Sequence, residues 1–235
     1  RSLIERSWLA ACAVPGEHRV VVATDDERIV AEIEALGGEA VMTSPHCANG
    51  TERVAELASS AGEDEIFVNL QGDALLTPPD FVAKLIDTLQ SDSTVDVATV
   101  AVHCNAGTYA HLVEDQKNGR VGGTTVVTDA RNDALYFSKR IIPYMDADMD
   151  ASVAAQNVQL HLGLYAYRPS ALMSYLERPQ CDYETLEGLE QLGFLNLGIK
   201  VRVITCDTPG WDVVELNNPS DVEVIERILK ERQID

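Results

Sequence analysis

Apolar residues recur at helical spacing over residues 3–13 (Leu3, Ile4, Trp8, Leu9, Ala11, Cys12), so the chain opens in a predicted helix. A β-run over residues 19–24 follows, built on Val20, Val21 and Val22. Asp25-Asp26-Glu27 then supplies acids suited to the start of a helix that ends at Gly37-Gly38. Residues 39–43 make a second short strand, and the loop 44–50 leads into a helix from Thr51 to about Ser60. Ile66, Phe67, Val68 and Leu70 form the next strand, which stops at Gln71-Gly72-Asp73; a helix runs from about Pro79 to Leu89. Strands alternating with helices at this spacing predict a mostly parallel sheet covered on both faces.

After residue 94 the texture changes. Residues 95–102 are a clean β-run, but 105–123 is polar and weakly periodic. Strands at 124–128 and 134–138 lie close together around the turn 129–133, which predicts a hairpin. An acidic connector at 145–150 precedes a long β-run at 158–167. Residues 170–176 and 184–192 read as helices, 200–206 as a strand and 219–231 as a terminal helix. No repeat or linker divides the chain. The expected plan is α/β: one domain, residues 1–235, with a lobe of roughly 104–160 inserted into it.

Composition narrows the partners. The chain has 235 residues, 46% of them hydrophobic, and no run approaches the length of a membrane span or a signal peptide. Acidic side chains number 38 against 18 basic, a net charge of -20. Such a balance argues against nucleic acid and anionic membranes as partners. A small anionic substrate stays open if a metal and a few arginines reverse the field locally. The five cysteines are scattered and never spaced as C-x-x-C, which predicts neither zinc site nor disulfide and a cytoplasmic location.

Several stretches carry candidate chemistry, each with a plainer alternative. Asp73 sits just past the carboxyl end of a strand, where open α/β sheets hold ligands and a carboxylate suits Mg²⁺; alternatively it caps the helix that follows. Asn49-Gly50-Thr51-Glu52-Arg53 is a loop-to-helix junction suited to an anion, or an ordinary helix start with a solvated Arg53. Glu184, Glu187 and, less closely, Glu190 share one helix side, as a hydroxyl-rich sugar or simply water would favour. His161 and Tyr165 share one strand face with Gly163 between them, a ligand approach or a core pair. Residues 215–221 bring a second acid or amide toward Asp73, or only cap a helix.

The order of these stretches is more specific than any one of them. Val22-Ala23-Thr24-Asp25, Met42-Thr43, Gly50-Thr51-Glu52-Arg53 and Asn69-Leu70-Gln71-Gly72-Asp73 resemble the cytidylyltransferases that activate 3-deoxy-2-keto sugar acids. Within these, the 3-deoxy-manno-octulosonate cytidylyltransferase (CMP-Kdo synthetase) family matches best. Ala134-Leu135-Tyr136-Phe137-Ser138, His161-Leu162-Gly163-Leu164-Tyr165-Ala166-Tyr167-Arg168 and Glu187-Gly188-Leu189-Glu190-Gln191-Leu192 continue the match to nearly the whole chain.

The resemblance implies a three-layer, nucleotide-diphospho-sugar-transferase-like (Rossmann-like) mixed sheet with a smaller dimerising lobe, hence a homodimer. It implies transfer of CMP from CTP to Kdo with release of pyrophosphate, serving lipopolysaccharide biosynthesis, with Mg²⁺ as cofactor. Asp73 and Gln71 take the catalytic positions. His161, Tyr165, Glu184, Glu187, Gln191, Tyr136 and Ser138 face the sugar acid; Arg53, Thr51, Gly50 and Asp25 face the nucleotide; Asp73, Glu215 and Asn217 stand at the metal.

Departures from the family pattern carry expectations too. The family's opening strand and basic phosphate loop have no counterpart from Arg1 onward, so a polypeptide beginning at Arg1 is expected not to turn over. Ala74-Leu75 replaces Glu-Pro after Asp73. Asn217 replaces a metal aspartate, with Glu215 as the substitute acid. Lys139 and Thr125 replace a family arginine and lysine, and Asn49 stands where serine is usual. These changes point to altered sugar specificity more than to lost chemistry, and another 2-keto-3-deoxy acid, such as an amino-Kdo or a nonulosonate, is the second reading after Kdo. A non-catalytic nucleotide- or sugar-binding protein is the alternative from a different class.

Overall fold

The computed structural model describes residues 1–73, 76–146, 149–208 and 221–232. Helix α1 (Leu3–Cys12) is capped by Ser2, which accepts the Glu5 amide. Strand β1 (Val21–Thr24), helix α2 (Glu27–Ala35) and strand β2 (Glu39–Met42) form a parallel β-α-β unit in which Val21 lies opposite Glu39. Helix α3 (Gly50–Ala58), strand β3 (Phe67–Leu70), helix α4 (Pro79–Ser91) and strand β4 (Val97–His103) follow. Helix α5 (Ala106–Lys117) precedes the hairpin β5 (Thr124–Thr128) and β6 (Ala134–Ser138). Helix α6 (Ala151–Gln156) leads to the long strand β7 (Gln159–Tyr167), then to α7 (Pro169–Leu176), α8 (Asp182–Glu187) and α9 (Gln191–Asn196). Strand β8 (Val201–Cys206) and helix α10 (Asp221–Arg232) complete the described chain.

Among the described strands, β1 and β2 form one sheet and the other six a second, ordered β6-β5-β7-β4-β8 with β3 also on β7. β4 pairs with β7 along its length, so β7 must seat β5 and β3 in turn on its other edge. β5 takes the first half (Thr124 opposite His161) and β3 the second (Leu70 opposite Leu164). At that changeover the ladder to β4 breaks register: Thr99 faces Tyr165 while Val100 faces Leu162. Gly163 and Leu164 are the bulged residues, and bulges of this kind re-aim side chains beside functional sites.

The central strands separate two cores. Val97 and Ala101 of β4, with Tyr165 and Tyr167 of β7, pack on Ala55 of α3, Leu172 and Tyr175 of α7, and Leu192 and Phe194 of α9. Ala98, Val100 and Val102, with Leu162, Leu164 and Ala166, pack on Phe81, Leu85 and Leu89 of α4. β4 is buried from Val97 to Val102 and, Thr99 apart, apolar there, because it is covered on both faces.

The mixed sheet replaces the mostly parallel one that strand–helix alternation suggested. β1–β2 and β4–β8 are parallel, whereas β7 runs antiparallel to β3, β4 and β5. The polar stretch 105–123 holds helix α5, started by the Asn105 side chain accepting the Thr108 amide. The end of the acidic connector likewise starts α6, through Asp150. The single helix expected over 184–192 is two, because Gly188 turns left-handed at φ 60° and ends α8. No described helix is long and apolar enough to cross a membrane.

Candidate active site

β3 carries Gln71-Gly72-Asp73 off the edge of β7 beside the bulge. Helix α1 holds the turn from outside: Ser7 Oγ donates to the Gly72 carbonyl at 2.6 Å. Asp73 Oδ1 is buried and has no hydrogen-bond partner among the described residues. Burial raises the Asp73 pKa, and no neighbouring cation offsets that shift among the described residues. A buried carboxylate oxygen without a partner suits a hard divalent cation. Of the expected metal ligands, Glu215 and Asn217 lie outside the described residues, and those described contain no cluster of three acids, histidines or cysteines.

The wall beside Gln71 belongs to β7. His161 is buried, and burial alone pushes its pKa down to about 3, so the imidazole is neutral. Thr99 Oγ1 donates to the Leu164 carbonyl at 2.8 Å and therefore accepts from His161 Nε2, 2.9 Å away. That arrangement fixes the Nε2–H tautomer and leaves Nδ1 as an acceptor. The His161 and Tyr165 rings are 5.4 Å apart, and the Tyr165 hydroxyl donates to Gln191 Oε1 at 3.1 Å. Gln191 Nε2 is buried without a hydrogen bond among the described residues.

Helix α3 supplies the opposite wall. Asn49 caps it, accepting the Glu52 amide at 2.9 Å. The Thr51 amide is given to Glu190 Oε2 at 2.9 Å, and the Thr51 hydroxyl pairs with that of Tyr167. The anion at this helix start is therefore the protein's own carboxylate. Glu190 also lies 3.4 Å from Gln71 Nε2, linking α3 to the end of β3; burial raises its pKa. Gly50 packs closely on β3: an added Cβ would lie 2.8 Å from Asn69 Nδ2 and force that side chain to shift. Arg53 turns back toward β1 and β2, bonding Thr43 and lying 3.5 Å from Asp25.

The remaining expected sugar-side residues are already engaged. Glu187 accepts from Ser138 Oγ at 2.8 Å and from the Lys139 amide at 3.0 Å. Tyr136 lies against Tyr183 with ring centres 6.3 Å apart. Glu184 faces Arg178, whose Nε and Nη2 approach its two oxygens at 3.1 and 2.8 Å. Hydrogen bonds thus join Gln71 to Thr51 through Glu190, Tyr165 to Gln191, and Ser138 to Glu187.

Comparison with known proteins gives this arrangement its relatives. The sequence profile of a family described as cytidylyltransferase matches residues 1–201. The chain belongs to the cytidylyltransferase family. Among relatives named 3-deoxy-manno-octulosonate cytidylyltransferase, one from Maricaulis maris (strain MCS10) is 41% identical over 97% of this chain and 86% of its own length. Another, from Chlorobaculum parvum, is 37% identical over 98% of this chain and 88% of its own. A solved structure described as CMP:2-keto-3-deoxy-manno-octonic acid synthetase complexed with CTP superposes with a TM-score of 0.82 at 31% identity, covering 98% of this chain and 88% of that one. The fold extends to a 4-diphosphocytidyl-2C-methyl-D-erythritol synthase from Anaerococcus prevotii, at TM-score 0.60, 14% identity, and coverage of 98% and 86%.

Within this family member, sequence reasoning passed over four residues that hold the site together. Glu190 reads as the third acid of a helix face and as part of the family motif, neither of which shows that it meets α3. Thr99, Tyr175 and Arg178 carried no motif at all. Arg178 stands immediately before Pro179, at the end of a helix. A basic residue at such a stop is a weak signal.

Proposed function

We propose that the chain transfers CMP from CTP to the anomeric hydroxyl of a 3-deoxy-2-keto sugar acid, with 3-deoxy-manno-octulosonate as the first candidate. The hydroxyl oxygen bonds to the α-phosphorus, the bond to the β-phosphate oxygen breaks, pyrophosphate leaves and the hydroxyl proton is released. One observation carries the reading. At the end of β3, Gln71, Glu190 and Thr51 form a continuous hydrogen-bonded wall beside His161 and Tyr165, in a member of the cytidylyltransferase family.

Phosphoryl-type transfer depends on positioning and charge neutralisation more than on covalent help. Neutral His161, with Nδ1 free to accept, and Tyr165 orient hydroxyl groups of the sugar. Gln71 is held by Glu190 where the acceptor enters. Arg53 supplies positive charge on the nucleotide side, close to Asp25. Asp73, with Glu215 and Asn217 as further candidates, would hold Mg²⁺. When bound, that ion neutralises the triphosphate and favours ionisation of the attacking hydroxyl.

We also propose that residues 104–160 form a lobe through which two copies pair. Leu135, Tyr144, Met149 and Val153 are exposed apolar side chains within it, surface that pairing would cover. Leu135→Lys should convert a dimer to a monomer in sedimentation; an unchanged dimer would remove the lobe from the interface. The five unpaired thiols support a cytoplasmic setting.

The deciding assay is pyrophosphate release from CTP with a panel of keto-deoxy sugar acids, on protein as its host makes it. Intact mass on the same sample separates a chain that begins at Arg1 from a longer one. CMP-sugar formation with another acid but not 3-deoxy-manno-octulosonate would move the specificity. No product with any acid, in a chain extending before Arg1, would sink the enzyme reading.

A further inference from the structure

We propose that Arg178 is a positioning residue for cytidylyl transfer, acting through Glu52 and Glu184 rather than by touching either substrate. The proposal rests on the reading above. Every nitrogen of its guanidinium is used: Nε and Nη2 on the Glu184 carboxylate, Nη2 also on Glu52 Oε1 at 3.2 Å, and Nη1 on the Tyr175 carbonyl at 2.8 Å. Its carbon lies 3.6 Å from the centre of the Tyr175 ring. The side chain is only 14% exposed. A planar fork stacked on one face and bonded along its edge is an arrangement that a lysine cannot reproduce.

What Arg178 grips is the junction at the start of α3. Glu52 uses its other oxygen, Oε2, to accept the Ala48 amide at 2.8 Å. Asn49 caps the helix and donates through Nδ2 to the Tyr175 hydroxyl at 3.1 Å, which itself donates to Glu184 Oε1 at 3.0 Å. Residues 48–52 are therefore tied into a closed circuit with Tyr175, Arg178 and Glu184. The next contacts along α3 are those of the site, Thr51 with Glu190 and Arg53 with Asp25. On the far side, Glu184 stands one helical turn from Glu187, which holds Ser138. Arg178 thus joins the nucleotide-facing junction to the sugar-facing helix. It also separates two carboxylates that would otherwise repel across a partly buried gap.

The test compares Arg178→Ala, Arg178→Lys and Glu52→Gln with the wild type, by kinetics with each substrate varied and by amide hydrogen exchange. Arg178→Ala should raise KM for CTP about 10-fold and lower kcat/KM about 10²-fold, the scale of a misplaced site. Arg178→Lys should fail to rescue it, and Glu52→Gln should reproduce the KM effect. Amides 48–53 should exchange faster in all three, while those of β4 stay protected. Wild-type kinetics in Arg178→Ala, full rescue by lysine, or loss of protection spread evenly through β4 without a change in KM would each overturn the proposal. A wild type that makes no product, with exchange still loosened only at 48–53, would overturn the cytidylyl-transfer reading and leave the hold on the junction standing.

Discussion

The carboxylate of Glu190 accepts the backbone amide of Thr51 at 2.9 Å, so an acid from the far end of the chain completes the first turn of α3. Burial raises this carboxyl above the 4.5 of an ordinary glutamate. The folded state therefore binds a proton more readily than the unfolded one. Stability from this group is fully present below about pH 4.5 and is lost as pH rises through the raised value. Glu190→Gln keeps an acceptor for Thr51 and removes the titration. Urea midpoints across about pH 4 to 8 should shift in favour of the variant as pH rises; a constant difference would show that Glu190 titrates normally.

His161 carries the opposite sign. Its pKa is pushed from 6.5 to about 3 by burial, so its contribution is intact above 6.5 and is lost progressively as pH falls toward 3. Nitrogen NMR should show a neutral ring with the proton on Nε2 at pH 5. An imidazolium signal there would contradict both the tautomer and the acceptor role of Nδ1.

Asp73→Asn should cut turnover by ~10²-fold or more, because a preorganised charge is lost where negative charge must be managed. Binding of Mg²⁺ should raise the wild type's melting temperature and leave the variant's unchanged. Turnover near normal in the variant would remove Asp73 from the metal.

Gly50→Ala should destabilise the fold by about 1–3 kcal/mol, since its Cβ would lie 2.8 Å from buried Asn69 Nδ2. Adding Asn69→Ala should recover part of that loss, as expected for two residues in direct contact. Additive losses in the double variant would mean that the close approach is not the cause.

Much of the architecture was legible because short apolar runs and local caps are local signals. The strand ending at Gln71 and the hairpin at 129–133 follow from spacing alone. Strand direction does not. Nothing within residues 158–167 says that β7 lies antiparallel to three neighbours, because a buried strand has the same pattern either way. Helix α5 is hard to see because its apolar residues are weakly periodic, and α6 because it is only 6 residues long; each rests on a single cap, Asn105 or Asp150. Asp73 and His161 of the candidate site stand out in the sequence because chemistry and motif coincide there. Thr99 does not, because its partners His161 and Leu164 are distant in sequence, nor does Arg178, whose nearby partners Tyr175 and Glu184 meet distant Glu52 only once the chain has folded.

The way β7 seats β3 has a consequence for synthesis. Among the described strands, Phe67, Val68 and Leu70 find their partners at Tyr167, Ala166 and Leu164, roughly a hundred residues later. At the ~5–20 residues per second of a working ribosome that is a wait of about 5–20 s. During it, an apolar strand has no sheet to join, and its bare edge can pair with any other nascent chain. Yield in the cell should therefore depend on chaperones that shield residues 66–70 until the ribosome has passed Tyr167.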